Sequence, residues 1–239
     1  MTETFRKHDP RVPADFFEVE ATGLDWLRAA NAVAVPRVIS VGAGHIELER
    51  IDRGHWTAEI DERFGRELAD LHRFGADTFG GTGGAYIGPL AMPKEPSERW
   101  PAFYAQQRLE PFLHGVPSGA RSPIERVIAR FEDLAGPTEP PARIHGDLWR
   151  GNALADPSGT PYLIDPAAHG GHRETDLAMM RLFGGFGERC FAAYNEAFPL
   201  TDGWRERIPL HQLHPLLVHC VLFGGAYVDQ ALAAARCYA

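Results

Sequence analysis

Cysteine is scarce in this chain, with three among 239 residues. No two stand at the C-x-x-C spacing of a zinc or redox motif. Cys190 and Cys220 lie in apolar sequence, which reads as buried free thiols rather than metal ligands or a disulfide. Excess positive charge is also missing. A formal net charge of −8 offers no general basic surface to a phosphate backbone and argues against nucleic acid as the main partner. No run approaches the ~18–20 apolar residues that span a bilayer, and MTETFRKHDPRVP has no apolar segment of the kind a secretory signal needs. The expectation is a cytoplasmic protein with no membrane partner. Repeats and low-complexity tracts are absent as well. What remains, 44% hydrophobic and 23% charged, is the composition of a globular chain able to form one large domain or two lobes.

TETFRK suits a strand and DPRVP a turn. Helical spacing follows in DFFEVEATGLDWLRAANA, where Asp15 suits an N-cap and Phe17, Glu20, Leu24 and Leu27 fall on one side. Glu20 thus puts a carboxylate at the edge of an apolar stripe. VPRVISVG and HIELERI, separated by GAG, read as a hairpin feeding a crossing segment near residues 49–54. EIDERFGRELADLHRFG is helical, with Phe64, Leu68 and Leu71 spaced by four and three. The Gly- and Pro-rich run GADTFGGTGGAYIGPLAMPKEPSE is expected to be a long surface loop. Its GGTGGAYIG has neither phosphate-loop spacing, GxGxxG or GK[ST], and follows a helix rather than a strand.

In SPIERVIARFEDLAGP, Ser122 is expected to cap a helix, with Pro123 at its first position and Glu125 completing a capping box. Ile124, Val127, Ile128, Phe131 and Leu134 make its buried face, and Gly136-Pro137 stops it. NALADPSGTPYLID reads as strand, turn, strand, and the chain from ETDLAMM onward as mainly helical.

Between these elements lies IHGDLWRGN, residues 144–152. Residues 145–151 form a loop clamped between rigid elements, a usual setting for catalytic groups. HGDLWRGN fits the phosphotransferase catalytic loop H-x-D-L-x-x-x-N, with Gly146 where protein kinases carry arginine. That template gives Asp147 the proton of an attacking hydroxyl and turns the amide oxygen of Asn152 to magnesium. The following hairpin returns Asp165, in LIDPA, beside Asn152, so that a carboxylate and an amide oxygen supply the hard ligands magnesium prefers. A metal-dependent hydrolase using His145, Asp147, Asp165, His169 and His172 is the rival reading, and it leaves Asn152 without a role. A kinase-like site also needs a strand lysine tied to a helix glutamate. Lys7 and Glu20 stand in the right order, although such residues near an N-terminus are also commonly solvated charges.

HGDLWRGN, LIDPAAHGGHRETDLAMMRLFGGF and WRERIPLHQLHPLLVHCVLFGGAY together resemble the fructosamine kinase (ketosamine-3-kinase) family. So do FFEVEATGLDWL and YIGPLAMP, and the likeness covers nearly the whole chain. The resemblance implies an α+β, two-lobed protein-kinase-like fold, with a small β-rich N-lobe at residues 1–52 and a large mainly helical C-lobe at 53–239. It implies ATP-dependent, magnesium-assisted phosphorylation of the sugar 3-hydroxyl of a ketosamine or glycated amine. By resemblance, Asp147 is the base, Asn152 and Asp165 hold the metal, and Lys7 with Glu20 orients the ATP phosphates. Trp149 and His219 would line the sugar-amine site. An indole face can pack on a sugar or attract an ammonium, though Trp149 also suits local packing and His219 a satisfied core position. Asp176 reads as structural, tying nearby loops through backbone N–H groups, with Arg173 and Glu174 in support.

One departure stands out. The family places a β-hairpin with a glycine-rich turn before the strand lysine, and six residues before Lys7 are too few for it at ~3.3 Å per residue. The N-lobe is therefore expected to be truncated. A catalytically silent binding protein on the same scaffold, or an aminoglycoside- or choline-type phosphotransferase, are the alternatives.

Overall fold

The computed structural model describes residues 3–81 and 86–238. The N-terminal sheet is built on alternation. In β3 (His45–Glu49) Ile46 and Leu48 are buried while their neighbours are half-exposed, as period-2 patterning requires of a sheet covered on one face. β1 (Thr4–His8) and β2 (Val38–Gly42) pair antiparallel on either side of β3, giving the order β1-β3-β2 with Lys7 opposite Ile46. α1 (Phe16–Arg28) supplies the cover. Phe17, Glu20, Leu24 and Leu27 are all buried, as their spacing predicts.

Asp15 does not cap this helix. It lies in helical conformation with no cap bond, and its carboxylate instead accepts the Tyr86 hydroxyl at 2.6 Å. α2 (Ala58–Phe74) buries Phe64, Leu68 and Leu71, and Thr57 caps it by accepting the Ile60 N–H.

The segment after α2 corrects the sequence reading. Residues 82–85 of GGTGGAYIG lie outside the described residues, but the flanking chain is no simple surface loop. Phe79, Ile87 and Met92 are buried, Gly80 exchanges backbone hydrogen bonds with Gly170, and β4 (Tyr86–Ile87) pairs with β5 (Leu90–Ala91). Polar and glycine-rich composition disguised three apolar anchors.

After α3 (Trp100–Tyr104) comes a second correction at α4 (Ser122–Ala129). Ser122 is its first helical residue, and no side chain caps it. The Ser122 hydroxyl accepts instead from Arg126 at 2.6 Å. The helix also breaks at Arg130 before α5 (Phe131–Leu134), with Ile124, Val127 and Phe131 buried as expected.

Short antiparallel pairs frame the central loop: β6 (Ala142–Ile144) with β9 (His169–Gly171), and β7 (Ala153–Ala155) with β8 (Pro161–Leu163). Then follow α6 (Glu174–Phe183), α7 (Glu188–Ala197), α8 (Ile208–Phe223) and α9 (Ala226–Arg236). The architecture is α+β with a helical C-terminal portion. Pro215 inside α8 cannot bond the carbonyl four residues back, and the Tyr104 hydroxyl takes that His211 carbonyl at 2.8 Å. One core joins α1 and the first sheet to α2, α6 and α7, and a second gathers α3, α4, α8 and α9. Among the described residues no helix is long and apolar enough to cross a membrane.

A buried ion pair ties α6 to α8. Arg207, immediately before α8, forks onto Glu174 at 2.6 and 2.9 Å, with both residues buried. Burial alone would raise the Glu174 carboxyl, but hydrogen bonds from His211 and Arg207 outweigh it and hold the group down at about 2. A carboxylate depressed on folding stabilises above its unfolded value, near 4.5, and that contribution is lost as pH falls toward about 2. Arg207→Met is expected to cost about 3–5 kcal/mol at pH 7 by leaving Glu174 buried and unpaired. Urea titration of both proteins checks this, and the difference should shrink as pH is lowered through the same window.

Candidate active site

The central loop is held from behind by one carboxylate. β6 is wholly buried and ends at Ile144. The next two residues present their N–H groups to Asp176, at 2.7 Å from His145 and 2.9 Å from Gly146. Asp176 is fully buried near the start of α6 and also receives His72 Nε2 at 3.2 Å. Burial would raise its pKa, but the His72 and His145 interactions reverse that and lower it. Inside the loop, His145 Nδ1 accepts the Asp147 N–H at 3.2 Å, and Nε2 meets the Ile164 carbonyl at 2.8 Å. These partners select the neutral tautomer protonated on Nε2.

Asn152 closes the loop. Its Nδ2 donates to the Asp147 carbonyl at 2.8 Å, to Asp147 Oδ2 at 3.1 Å and to the Asp165 carbonyl at 3.4 Å. All three are acceptors, which fixes the amide orientation, and Oδ1 accepts no hydrogen bond among the described residues. Burial pushes the Asp147 carboxyl up, with His145, His219 and Asn152 opposing in part.

Asp165 leaves β8 in the left-handed region, φ 55°, which Asp tolerates better than most residues. Its carboxylate reaches Lys7. Lys7 Nζ bonds both Asp165 and Glu20, the latter at 2.5 Å. Burial would lower the Lys7 pKa, but the Glu20 and Asp165 charges raise it overall, while burial raises that of Glu20.

One cavity is walled by these groups, and two others each share wall residues with it. The first, about 500 Å³, is lined by Lys7, Glu20, Asp147, Asn152 and Asp165. A second, about 430 Å³, shares Lys7 and Asp165 and runs between Leu48, the segment 49–53, Leu154 and Ile164. The third, about 280 Å³, shares Asp147 and is walled by Trp149, Met179, Phe183 and His219. Of the sequence-predicted residues, Lys7, Glu20, Asp147, Asn152 and Asp165 line the first cavity, and Trp149 and His219 line the third, which shares Asp147 with it. His169 and His172, which the hydrolase reading needs, line none of the three. His169 Nδ1 faces the Ala167 carbonyl at 2.7 Å, and His172 stacks on His211. Burial pushes His172 down to about 3. His172, Glu174 and His211 are close enough to share a metal, but Arg207 already occupies that carboxylate.

Comparison with known proteins decides the family. The family model described as fructosamine kinase matches residues 1–236. The chain belongs to the fructosamine kinase family. An Enterococcus faecium protein named "probable ketoamine kinase" is 37% identical over 243 residues, covering 95% of this chain and 86% of that protein. The crystal structure of a "putative fructosamine-3-kinase" from Thermobifida fusca shares 47% identity at a TM-score of 0.93, covering 99% of this chain and 85% of that one. A choline kinase structure from Streptococcus pneumoniae, at 16% identity, TM-score 0.61 and coverage of 98% and 85%, shares the fold alone.

This fructosamine kinase family member also borders its cleft with residues that motif reading missed. The sequence reading placed a crossing segment near residues 49–54 but gave it no part in the site, whereas residues 49–53 line the second cavity. Ile87 and Gly88, which line both the first and third cavities, were hidden in apparent loop. Lys7, which the sequence reading did name, carried a further signal, because Lys7 and Lys94 are the only lysines in the chain.

The glycine at position 146, arginine in protein kinases, has a steric reason. Its φ is 81°, and a Cβ there would lie 2.3 Å from the Ala167 carbonyl oxygen, in the segment that follows Asp165. Gly146→Ala is expected to cost at least about 2 kcal/mol, from left-handed strain plus that clash. Thermal unfolding checks the loss, and retention of wild-type stability would refute the close approach.

Proposed function

We propose that the protein transfers the γ-phosphoryl group of ATP to the sugar hydroxyl of a ketosamine or glycated amine, with magnesium, in the cytoplasm. The observation that carries this reading is the convergence of Lys7, Glu20, Asp147, Asn152 and Asp165 on the wall of the first cavity. Family membership supports the sugar-amine acceptor, and the site supports each role.

Phosphoryl transfer asks little covalent chemistry of a protein and much positioning and charge neutralisation. Asp147 is the proton acceptor for the attacking hydroxyl. The Asn152 Nδ2 bond to one carboxylate oxygen steers Asp147, and a general base needs such fixed aim before its pKa matters. The donor set fits magnesium: Asp165 offers a carboxylate 44% exposed, and the unengaged Oδ1 of Asn152 offers a second hard oxygen. When bound, that ion neutralises phosphate charge. Lys7, held by buried Glu20, supplies a fixed ammonium for the phosphates.

The second cavity suits the nucleotide base. Leu48, Leu154 and Ile164 provide apolar faces, and the backbone groups of Ile51, Asp52 and Arg53 make no backbone–backbone hydrogen bond among the described residues. These groups suit a heteroaromatic edge. In the third cavity, Trp149 packs flat over Gly151, where a Cβ would fall 2.2 Å from the ring. Trp149 is still 43% exposed, leaving a face for the sugar or its ammonium. His219 Nδ1 contacts the Pro215 carbonyl at 2.6 Å in its own helix, which orients the ring.

Asp147→Asn is expected to lower kcat by about 10²–10⁴-fold while ATP affinity changes little, measured by coupled ADP release and isothermal titration. Absence of ATP binding at millimolar concentration in the unmodified protein would remove the kinase reading in favour of a silent binder. Lys7→Met should weaken ATP binding as well as turnover. An unchanged Kd for ATP in that variant would separate Lys7 from the phosphates.

A further inference from the structure

Resting on the ketosamine reading, we infer that the acceptor cavity selects ketosamines whose amine carries an aromatic, uncharged substituent. Large apolar side chains are seldom left in water as a group without a use, and here they rim the cavity that holds Asp147. Phe183 is 42% and Phe223 66% exposed, and both line that cavity with Trp149 and His219. The His219 ring is the hub, with centroids 5.2 Å from Phe183, 5.5 Å from Phe223 and 4.8 Å from Tyr227.

The placement follows from two matching helix ends. Phe183 is the last residue of α6 and Phe223 the last of α8, and each is followed by two glycines with positive φ. A Cβ at Gly184, Gly224 or Gly225 would touch nothing, so backbone conformation rather than packing calls for glycine there. Both helices thus stop abruptly, with a phenyl ring at the mouth.

Charge selects in the same direction. Among the described residues, Asp147 is the one carboxylate lining this cavity, and no lysine or arginine borders it. The C-terminal ends of α6 and α8 add partial negative charge at the rim. This environment favours the ammonium of a ketosamine and disfavours a carboxylate beside it. Distance completes the argument. In a ketosamine, four bonds separate the 3-hydroxyl oxygen from the amine nitrogen, roughly 5 Å at full extension. With that hydroxyl at Asp147, the substituent on nitrogen enters among the rings, where a flat apolar group is matched by edge and face contacts.

The test compares three ketosamines made from one sugar with 2-phenylethylamine, ethylamine and glycine. The phenylethyl compound should exceed the ethyl compound by about tenfold in kcat/KM, with the glycine compound lowest. In Phe223→Ala the phenylethyl-to-ethyl ratio should fall toward one, and Phe223→Leu should keep part of it. Because Phe223 is largely exposed, neither change threatens the fold. Equal kcat/KM for all three compounds, or a preference for glycine, overturns the inference while leaving the kinase reading intact. A ratio unchanged in Phe223→Ala also overturns it. Phosphorylation of none of the three overturns the ketosamine reading and this inference together.

Discussion

The carboxylate of Asp176, fully buried, receives the N–H groups of His145 and Gly146 and the imidazole of His72. A charge in that position is tolerable only because each oxygen is met by donors, and hydrogen bonds to a charged group are stronger than those between neutral ones. Every functional group on the loop inherits its position from this anchor. Asp147 follows Gly146 directly, His145 reaches the Ile164 carbonyl just before Asp165, and Asn152 bonds back to Asp147. His72 in turn is fixed by the Tyr194 hydroxyl at 2.8 Å, so α2, α6 and α7 all bear on one short loop.

Lys7 makes the corresponding link from the first sheet. It joins Glu20 of α1 to Asp165 beyond β8, so one ammonium connects the strand, the helix and the segment expected to hold metal. The aromatic and arginine contacts around the loop serve stiffness. Arg150 lies 4.0 Å over the Trp56 ring and donates to the Ala153 carbonyl, which pins the loop midway between Trp149 and Asn152. A cleft that positions phosphate and hydroxyl needs such rigidity, because its contribution is geometry more than bond-making.

The groups that converge on the first cavity were legible in sequence wherever a known template sets spacing. H-x-D-L-x-x-x-N and the aspartate after the hairpin stand out because the phosphotransferase template sets its polar groups at fixed intervals on one loop and one return strand. Helix faces were legible too, since Phe17, Leu24, Leu27, Phe64 and Leu68 follow the helical period. Caps were less so. Asp15 and Ser122 have the right chemistry for capping, but Tyr86 and Arg126 compete for them in the folded protein. The segment from Gly75 to Ser97 was illegible because Phe79, Ile87 and Met92, buried among its described residues, are scattered among glycines and prolines, with no period to reveal them.

By itself the sequence determined the kind of chemistry, the longer periodic helices and the hairpins, and the family, because these depend on residue identity and local spacing. Tertiary structure decided the rest: that Lys7 meets Asp165 as well as Glu20, that Gly146 must lack a side chain beside the Ala167 carbonyl, and that Phe183 and Phe223 border the same cavity as Asp147. Each of these joins residues far apart in the chain or depends on the path of a neighbouring backbone. Only the packing of sheets and helices fixes such distances, since no local pattern encodes which surfaces will meet.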